Sequence, residues 1–312
     1  MRSQARVVEP EPSAAREDVE TTCTRPAAAT DDLAGPGGTV CPMAQTLHEL
    51  MSDTEKLAAA GLRLDLAGPV LTVTLDRPER RNAMTPAMWF ALADVGASLP
   101  EDVRVVILRG EGAGFSAGLD RAMLTPEGPA GEEGFGALLA RDDQGVADEV
   151  ARYQEGFVWL ADPGIISIAQ IHGHAIGGGF QLALACDVRV ASTDALFCMK
   201  EPALGLVPDL AGTRPLVTAV GLARALEICA TARSVGAAEA ERLGLVQQVV
   251  EPDDLGRAVA ALAAALSAHP ADAVRRTKSL LQGAAGRTLD EQRLAEREAQ
   301  VPLLRALAGG TT

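Results

Sequence analysis

From Leu62 onward the spacing of apolar residues predicts an ordered alternation of strands and helices. LRLDLAG and PVLTVTLD alternate apolar and polar positions on either side of Gly68-Pro69, the pattern of a hairpin. After the polar turn Arg77-Pro78-Glu79-Arg80-Arg81-Asn82, Thr85 opens the segment PAMWFALADVGASL, a predicted helix with Pro86 at its first position. VRVVILRG is a continuous β-branched run, which predicts a strand buried on both faces. A polar, Gly- and acid-rich stretch follows over residues 121–150. DEVARYQEGFVWLAD then reads as helix, GIISIAQI as a second buried strand, and GGGFQLALACDVRVAS as helix. Beyond Arg214 the pattern is mostly helical, as in PDDLGRAVAALAAALSAHP, with Asp253 and Asp254 at its start and Pro270 as its stop. Strands alternating with helices imply crossover connections, and hence an α/β fold.

The first 50 residues lack this periodicity. They are rich in Pro, Ala, Thr and Gly and carry eight acids against four arginines, which predicts a disordered or dispensable extension. Met43 and Met51 are alternative starts. The remaining 262 residues suit one domain, divided into a core over 51–235 and a helical region over 236–312.

Composition narrows the function. The 312-residue chain carries a net charge of −14, which argues against a nucleic-acid partner. Five scattered cysteines without a C-x-x-C pair point to a reducing compartment, and no metal site is expected. His172 and His174 lie two apart without a third ligand near them in sequence. No apolar run reaches membrane-spanning length, and the acid-rich start resembles neither a secretory signal nor a mitochondrial presequence, so a cytoplasmic protein is expected.

Three segments could carry chemistry. In Ile171-His172-Gly173-His174-Ala175-Ile176-Gly177-Gly178-Gly179-Phe180-Gln181, three glycines open a helix. They cost helix stability, and make sense where backbone N–H groups must approach a developing oxyanion. A tight packing turn is the alternative. Phe115-Ser116-Ala117-Gly118-Leu119-Asp120 is a second small-residue turn whose amides could face the same cavity. It also matches the G-x-S-x-G nucleophile elbow, although the strand ends near Gly110 and only His269 lies well downstream. Lys200 to Thr213 sets Glu201 and Asp209 among apolar residues, a setting that raises carboxyl pKa values and suits acid–base work. The alternative there is a capping acid and a surface turn.

Together, the RP-x-x-x-NA turn, the F-S-A-G-L-D turn, the HG-x-x-x-GGG helix start and the E-x-x-x-G-L-x-P-D loop resemble the crotonase (enoyl-CoA hydratase/isomerase) superfamily. The likeness runs from about Leu71 to Leu304 and includes a helical stretch around Ala238–Val250. It implies a ββα spiral core with a helical C-terminal trimerisation region, assembled as a homotrimer or hexamer. The implied substrate is an acyl-coenzyme A thioester, with no tightly bound cofactor. Its carbonyl would be held by the N–H groups of Leu119 and Gly178. Arg77, Arg80 and Arg81 are candidates for the CoA phosphates, with Ala83, Ala117, Gly118, Asp120 and Gly177 shaping the substrate site.

The departures from the pattern choose among reactions. Hydratases of this family use two glutamates; the second corresponds to Glu201, while the first falls at Gln181, which cannot take a proton. Dienoyl-CoA isomerases carry an extra aspartate where this chain has Asp209, and the Arg152-Tyr153-Gln154-Glu155 stretch resembles that branch. The implied activity is therefore double-bond isomerisation through an enolate. Hydration with Gln181 orienting water, or acyl-CoA binding without catalysis, are the alternatives. Family members usually continue past the last helix with a basic segment, so part of the CoA contact is expected to be absent or to come from a neighbouring subunit.

Overall fold

The computed structural model describes residues 45–125, 128–129, 132 and 134–309. Most of the expected extension therefore lies outside the described residues. Its last residues do not: α1 (Leu47–Ser52) and α2 (Thr54–Ala59) precede the first strand. Thr46 and Glu49 form a reciprocal capping box at the start of α1, and Leu47, Leu50 and Leu57 are buried in the main core. Ordered structure thus begins ahead of Leu62, because a short amphipathic pair of helices has a core to pack on.

The elements that follow are β1 (Leu62–Ala67), β2 (Val70–Leu75), α3 (Pro86–Ala97), β3 (Val105–Gly110), α4 (Phe135–Leu139), α5 (Asp143–Val158), β4 (Ile166–Ile171), β5 (His174–Ile176) and α6 (Gly178–Ala185). Then come β6 (Val188–Ser192), β7 (Leu196–Cys198), α7 (Thr213–Val220), α8 (Leu222–Thr231), β8 (Val235–Gly236), α9 (Ala237–Leu243) and β9 (Gln248–Val250). Three helices complete the described chain: α10 (Leu255–Ser267), α11 (Ala271–Gly283) and α12 (Leu289–Gly309).

A six-stranded sheet runs β1-β2-β3-β4-β6-β9, with β1 antiparallel to β2 and the other pairs parallel. A second sheet, β5-β7-β8, lies apart from it in pairing. Alternate residues of β3 serve two cores: Val106 and Leu108 join the main cluster, while Val105 and Ile107 pack with Leu255, Val259 and Ala263 of α10. That double burial is why the strand reads as a continuous apolar run.

Two expected helices are shorter than their patterns suggest. The segment GGGFQLALACDVRVAS is helical only to Ala185; Cys186 is extended and Val188–Ser192 is β6. The Asp187 carboxylate accepts the Ser167 N–H at 2.8 Å, which aligns the following β-branched residues with β4. Likewise the stretch Ala238–Val250 leaves the helix at Gly244, which adopts positive φ, and Gln248–Val250 extends the main sheet as β9. On α11, Lys278 is buried and donates to Asp162 O, Ile165 O and Asp187 Oδ2 at 2.7, 2.8 and 2.7 Å, fastening the C-terminal helices to the sheet.

The two glycine-bearing turns are joined by backbone hydrogen bonds. Phe115 N–H donates to His172 O and Ser116 N–H to His174 O, both at 2.9 Å, and Ile176 N–H returns to Ser116 O at 3.0 Å. Met84 N–H donates to Gly118 O at 2.7 Å, and Asp120 N–H to Met84 O at 2.9 Å. Gly118 has φ +82°, and a Cβ there would lie 2.4 Å from Ile176 O and 3.3 Å from Gly178 N. Gly68 has φ +56° with nothing within 4 Å of its Cβ position. We expect Gly118→Ala to cost about 3 kcal/mol in urea unfolding and Gly68→Ala about 1 kcal/mol, the difference reporting the close approach rather than the backbone angle.

Candidate functional site

The site is assembled on these turns. Asn82, fully buried at φ +54°, is their common brace. Its Nδ2 donates to Glu111 O and Gly114 O at 2.8 and 2.9 Å, and its Oδ1 accepts the Arg77 N–H at 3.0 Å. Ser116 Oγ donates to Asn82 O at 2.7 Å and accepts the Gly118 N–H at 3.1 Å. That hydroxyl is buried and engaged with backbone alone, so it is a turn brace and not the activated nucleophile of an elbow.

The other turn leads into α6. Gly177 precedes the helix at φ +52°, ψ −123°, and its N–H donates to Cys198 O at 2.8 Å, tying the helix start to β7. Gly178 opens the helix. Among the described residues neither the Gly178 N–H nor the Leu119 N–H has a hydrogen-bond acceptor, and both sit where the two turns meet. The terminal methyl of Met84 and Leu210 Cδ1 lie against Gly178, at 2.8 and 3.3 Å from where a Cβ would stand. These two apolar neighbours were not foreseen, since neither lies within a motif's chemistry.

Glu201 begins a single helical turn after β7, stopped by Gly205 at φ +73°. Its carboxyl stands beside Gly177, with Oε1 3.2 Å from the Cβ position of that glycine. Glu201 is 9% exposed and Gln181 is 0% exposed. Gln181 Nε2 donates to Glu201 Oε1 at 2.7 Å, while its Oε1 accepts the N–H groups of Leu210 at 2.9 Å and Gly212 at 3.3 Å. Two backbone donors on one side fix the amide's orientation, because only its oxygen can accept. Between them Ala211 takes φ +62°, which lets two nearby N–H groups converge on one oxygen. Gln181 is therefore in direct contact with Glu201 and ties it to the 210–212 loop.

Among the described residues Glu201 Oε2 is buried without a hydrogen-bond partner. Burial pushes the Glu201 carboxyl above its ordinary range, the charge of Asp209 adds to this, and the Gln181 hydrogen bond opposes it. Asp209 is exposed as a residue, yet partial burial of its carboxyl pushes its pKa up as well. Its main chain is held by Gln154 Nε2, which donates to Asp209 O at 2.6 Å. Gln154 was not singled out alone; the only trace of it in the sequence is the Arg152–Glu155 stretch.

The candidate phosphate ligands separate. Arg77 is engaged within the turn: it donates to Ala83 O at 2.5 Å and pairs with Asp120 Oδ2 at 3.1 Å. Asp120 in turn caps the following helical turn through the Ala122 N–H at 3.1 Å. Arg77 and Asp120 are thus paired with each other across 43 residues of chain. Arg80 and Arg81 are exposed, and Ala117 N–H donates to Arg81 O at 2.9 Å. His172 Nε2 lies 2.8 Å from Gly112 O, and burial lowers the pKa of His174. Among the described residues no cluster of His, Cys, Asp or Glu is placed to hold a metal ion. A cavity of about 290 Å³ is lined by residues of α3, α4 and α5, by Met123, and by Glu132 and Gly134.

Comparisons with known proteins identify the family. The enoyl-CoA hydratase/isomerase family model matches residues 66–306. A solved structure from Thermobifida fusca, described as a candidate enoyl-CoA hydratase in complex with acetoacetyl-CoA, is 51% identical, with a TM-score of 0.79 over 82% of this chain and 99% of that one. A probable enoyl-CoA hydratase of Mycobacterium bovis is 34% identical over 72% of this chain and 82% of its own length. The mitochondrial Delta(3,5)-Delta(2,4)-dienoyl-CoA isomerase of Rattus norvegicus is 35% identical over 71% of this chain and 68% of its own. With these motifs on this fold, the chain belongs to the enoyl-CoA hydratase/isomerase family of the crotonase superfamily and is an enzyme of that family.

Proposed function

We propose that the enzyme shifts a carbon–carbon double bond in an acyl-CoA thioester through an enolate, with Glu201 as the base and Asp209 as the acid. The observation that carries this reading is the direct Gln181–Glu201 hydrogen bond at 2.7 Å. Hydration by paired carboxylates needs a water held between two side chains that can each take a proton. Here one partner is an amide, and the two side chains touch. Glu201 Oε2, without a partner, is the free basic position.

In the first step a C–H bond of the acyl group breaks. The proton goes to Glu201 Oε2, and the electron pair delocalises onto the thioester oxygen. The N–H groups of Leu119 and Gly178 hold that oxygen, a donor of this kind contributing about 10²–10³-fold in rate. In the second step the far carbon of the enolate takes a proton from Asp209, whose partial burial favours the protonated form. Exchange with solvent then returns both carboxyls to their starting states. Exposed Arg80 and Arg81 are the cations we assign to the CoA phosphates, a local reversal of the acidic background. The acetoacetyl-CoA in the Thermobifida fusca structure and the isomerase among the relatives support the substrate class and the reaction. Exposed Leu222 and Leu226 on α8, with Leu281 on α11 and Leu289 on α12, support a homotrimer or hexamer.

A panel of 2-enoyl-, 3-enoyl- and dienoyl-CoA substrates followed by ultraviolet absorbance tests the reaction. Isomerisation should dominate, and Glu201→Gln and Asp209→Asn should each lower turnover about 10³-fold with acyl-CoA binding kept. Full turnover in both variants, or hydration as the main reaction, overturns the assignment.

The raised pKa of Glu201 also has a sign for stability. Its proton is bound more tightly folded than unfolded, so its stabilising contribution is complete below 4.5 and is lost as pH rises through the folded value. Glu201→Gln lacks this loss. In urea denaturation across pH the variant should become the more stable protein within that window and stay so at neutral pH. Sedimentation should give three or six times the monomer mass; a monomer would overturn the assembly.

A further inference from the structure

The cavity of about 290 Å³ does not have the wall of a plain hydrocarbon slot. Three of its lining stretches adjoin the site's own residues along the chain. Pro86 and Ala87 follow Met84, whose methyl meets Gly178; Met123 follows the Leu119–Asp120 turn; and Tyr153 precedes Gln154, which holds Asp209. Phe90 and Tyr153 supply apolar surface, the Tyr153 ring being fixed by Trp89 and Phe90 at centroid distances of 4.9 and 5.7 Å.

On the same face of α5, one turn before Tyr153, lies Glu149, only 6% exposed. A single oxygen, Oε2, receives both Arg141 Nη1 at 2.8 Å and Arg152 Nη1 at 2.7 Å. Among the described residues Glu149 Oε1 accepts no hydrogen bond, and the Tyr153 hydroxyl makes none. Glu132 also lines the cavity, but its carboxylate is engaged by the Ala87 N–H at 3.0 Å. Burial, and then the charge of Glu149, push the Tyr153 phenol above its ordinary range, so at neutral pH it keeps its proton and can donate.

An alkyl tail against this wall would strip water from Glu149 Oε1 and the Tyr153 hydroxyl and return no hydrogen bond. A terminal carboxylate would meet two carboxylates, Glu149 and Glu132, and one lining cation, Arg141, whose Nη1 is already committed to Glu149. We infer that the cavity selects an acyl group ending in a neutral hydroxyl, which donates to Glu149 Oε1 and accepts from the Tyr153 O–H. A site built to hydrogen-bond a substrate hydroxyl discriminates strongly against the analogue that lacks it.

The inference rests on the acyl-CoA reading, so its test reads affinity rather than turnover. The ligands are saturated acyl-CoAs of one chain length that end in methyl, hydroxymethyl or carboxyl, titrated by calorimetry into the full chain. The hydroxyl-ended ligand should bind about tenfold more tightly than the methyl-ended one. Tyr153→Phe keeps the ring packing; it should remove most of that preference and leave the methyl-ended ligand within about twofold. Equal affinities, a preference for the carboxyl-ended ligand, or a hydroxyl preference that survives Tyr153→Phe overturns the inference while leaving the acyl-CoA reading intact. No binding by any ligand overturns the acyl-CoA reading, and the inference with it.

Discussion

At Gly118 two stretches of backbone meet with no room for a side chain. The turn after β3 approaches the segment between β5 and α6 closely enough that a Cβ would lie 2.4 Å from Ile176 O. Everything chemical in the site depends on that approach. It brings the Leu119 and Gly178 N–H groups to one place, although about sixty residues separate them. The brace behind it, Asn82 with Ser116, is polar and buried, and each of its hydrogen bonds goes to backbone. Rigid backbone donors of this kind need no reorganisation when charge develops on the atom they face.

The carboxyl that faces this place is held under stress. Glu201 is buried, coupled to the charge of Asp209, and satisfied on one oxygen only. A structure selected for stability alone would pair the second oxygen or replace the residue. Gln181 moderates the cost by donating one hydrogen bond, and it transmits the position of the 210–212 loop to Glu201 through a single amide. One neutral side chain thus links Glu201 to the loop that follows Asp209.

Much of this was legible along the chain. The hairpin, the helix opened by Thr85-Pro86, the two doubly buried strands and the glycine turns each followed from local pattern. The structure forms them where the pattern puts them. The misread segments have a shared cause. VRVAS and QQVV sit directly behind good helix formers, and only pairing with β4 and β6 makes them strands. Similarly, Arg77 resembles its neighbours Arg80 and Arg81 in sequence, and only the fold sets Asp120 against it.

The sequence by itself determined the alternation of elements, the places where backbone must pass without a side chain, and the family that carries those motifs in that order. These are local properties, fixed by periodicity, by φ preference and by residue type. The tertiary structure decided which donors and acids share a site, that Gln181 donates to Glu201, and that Glu149 and Tyr153 line one cavity. Those are contacts between residues distant along the chain. They come from strand order and from the burial of whole elements, and no local pattern encodes either.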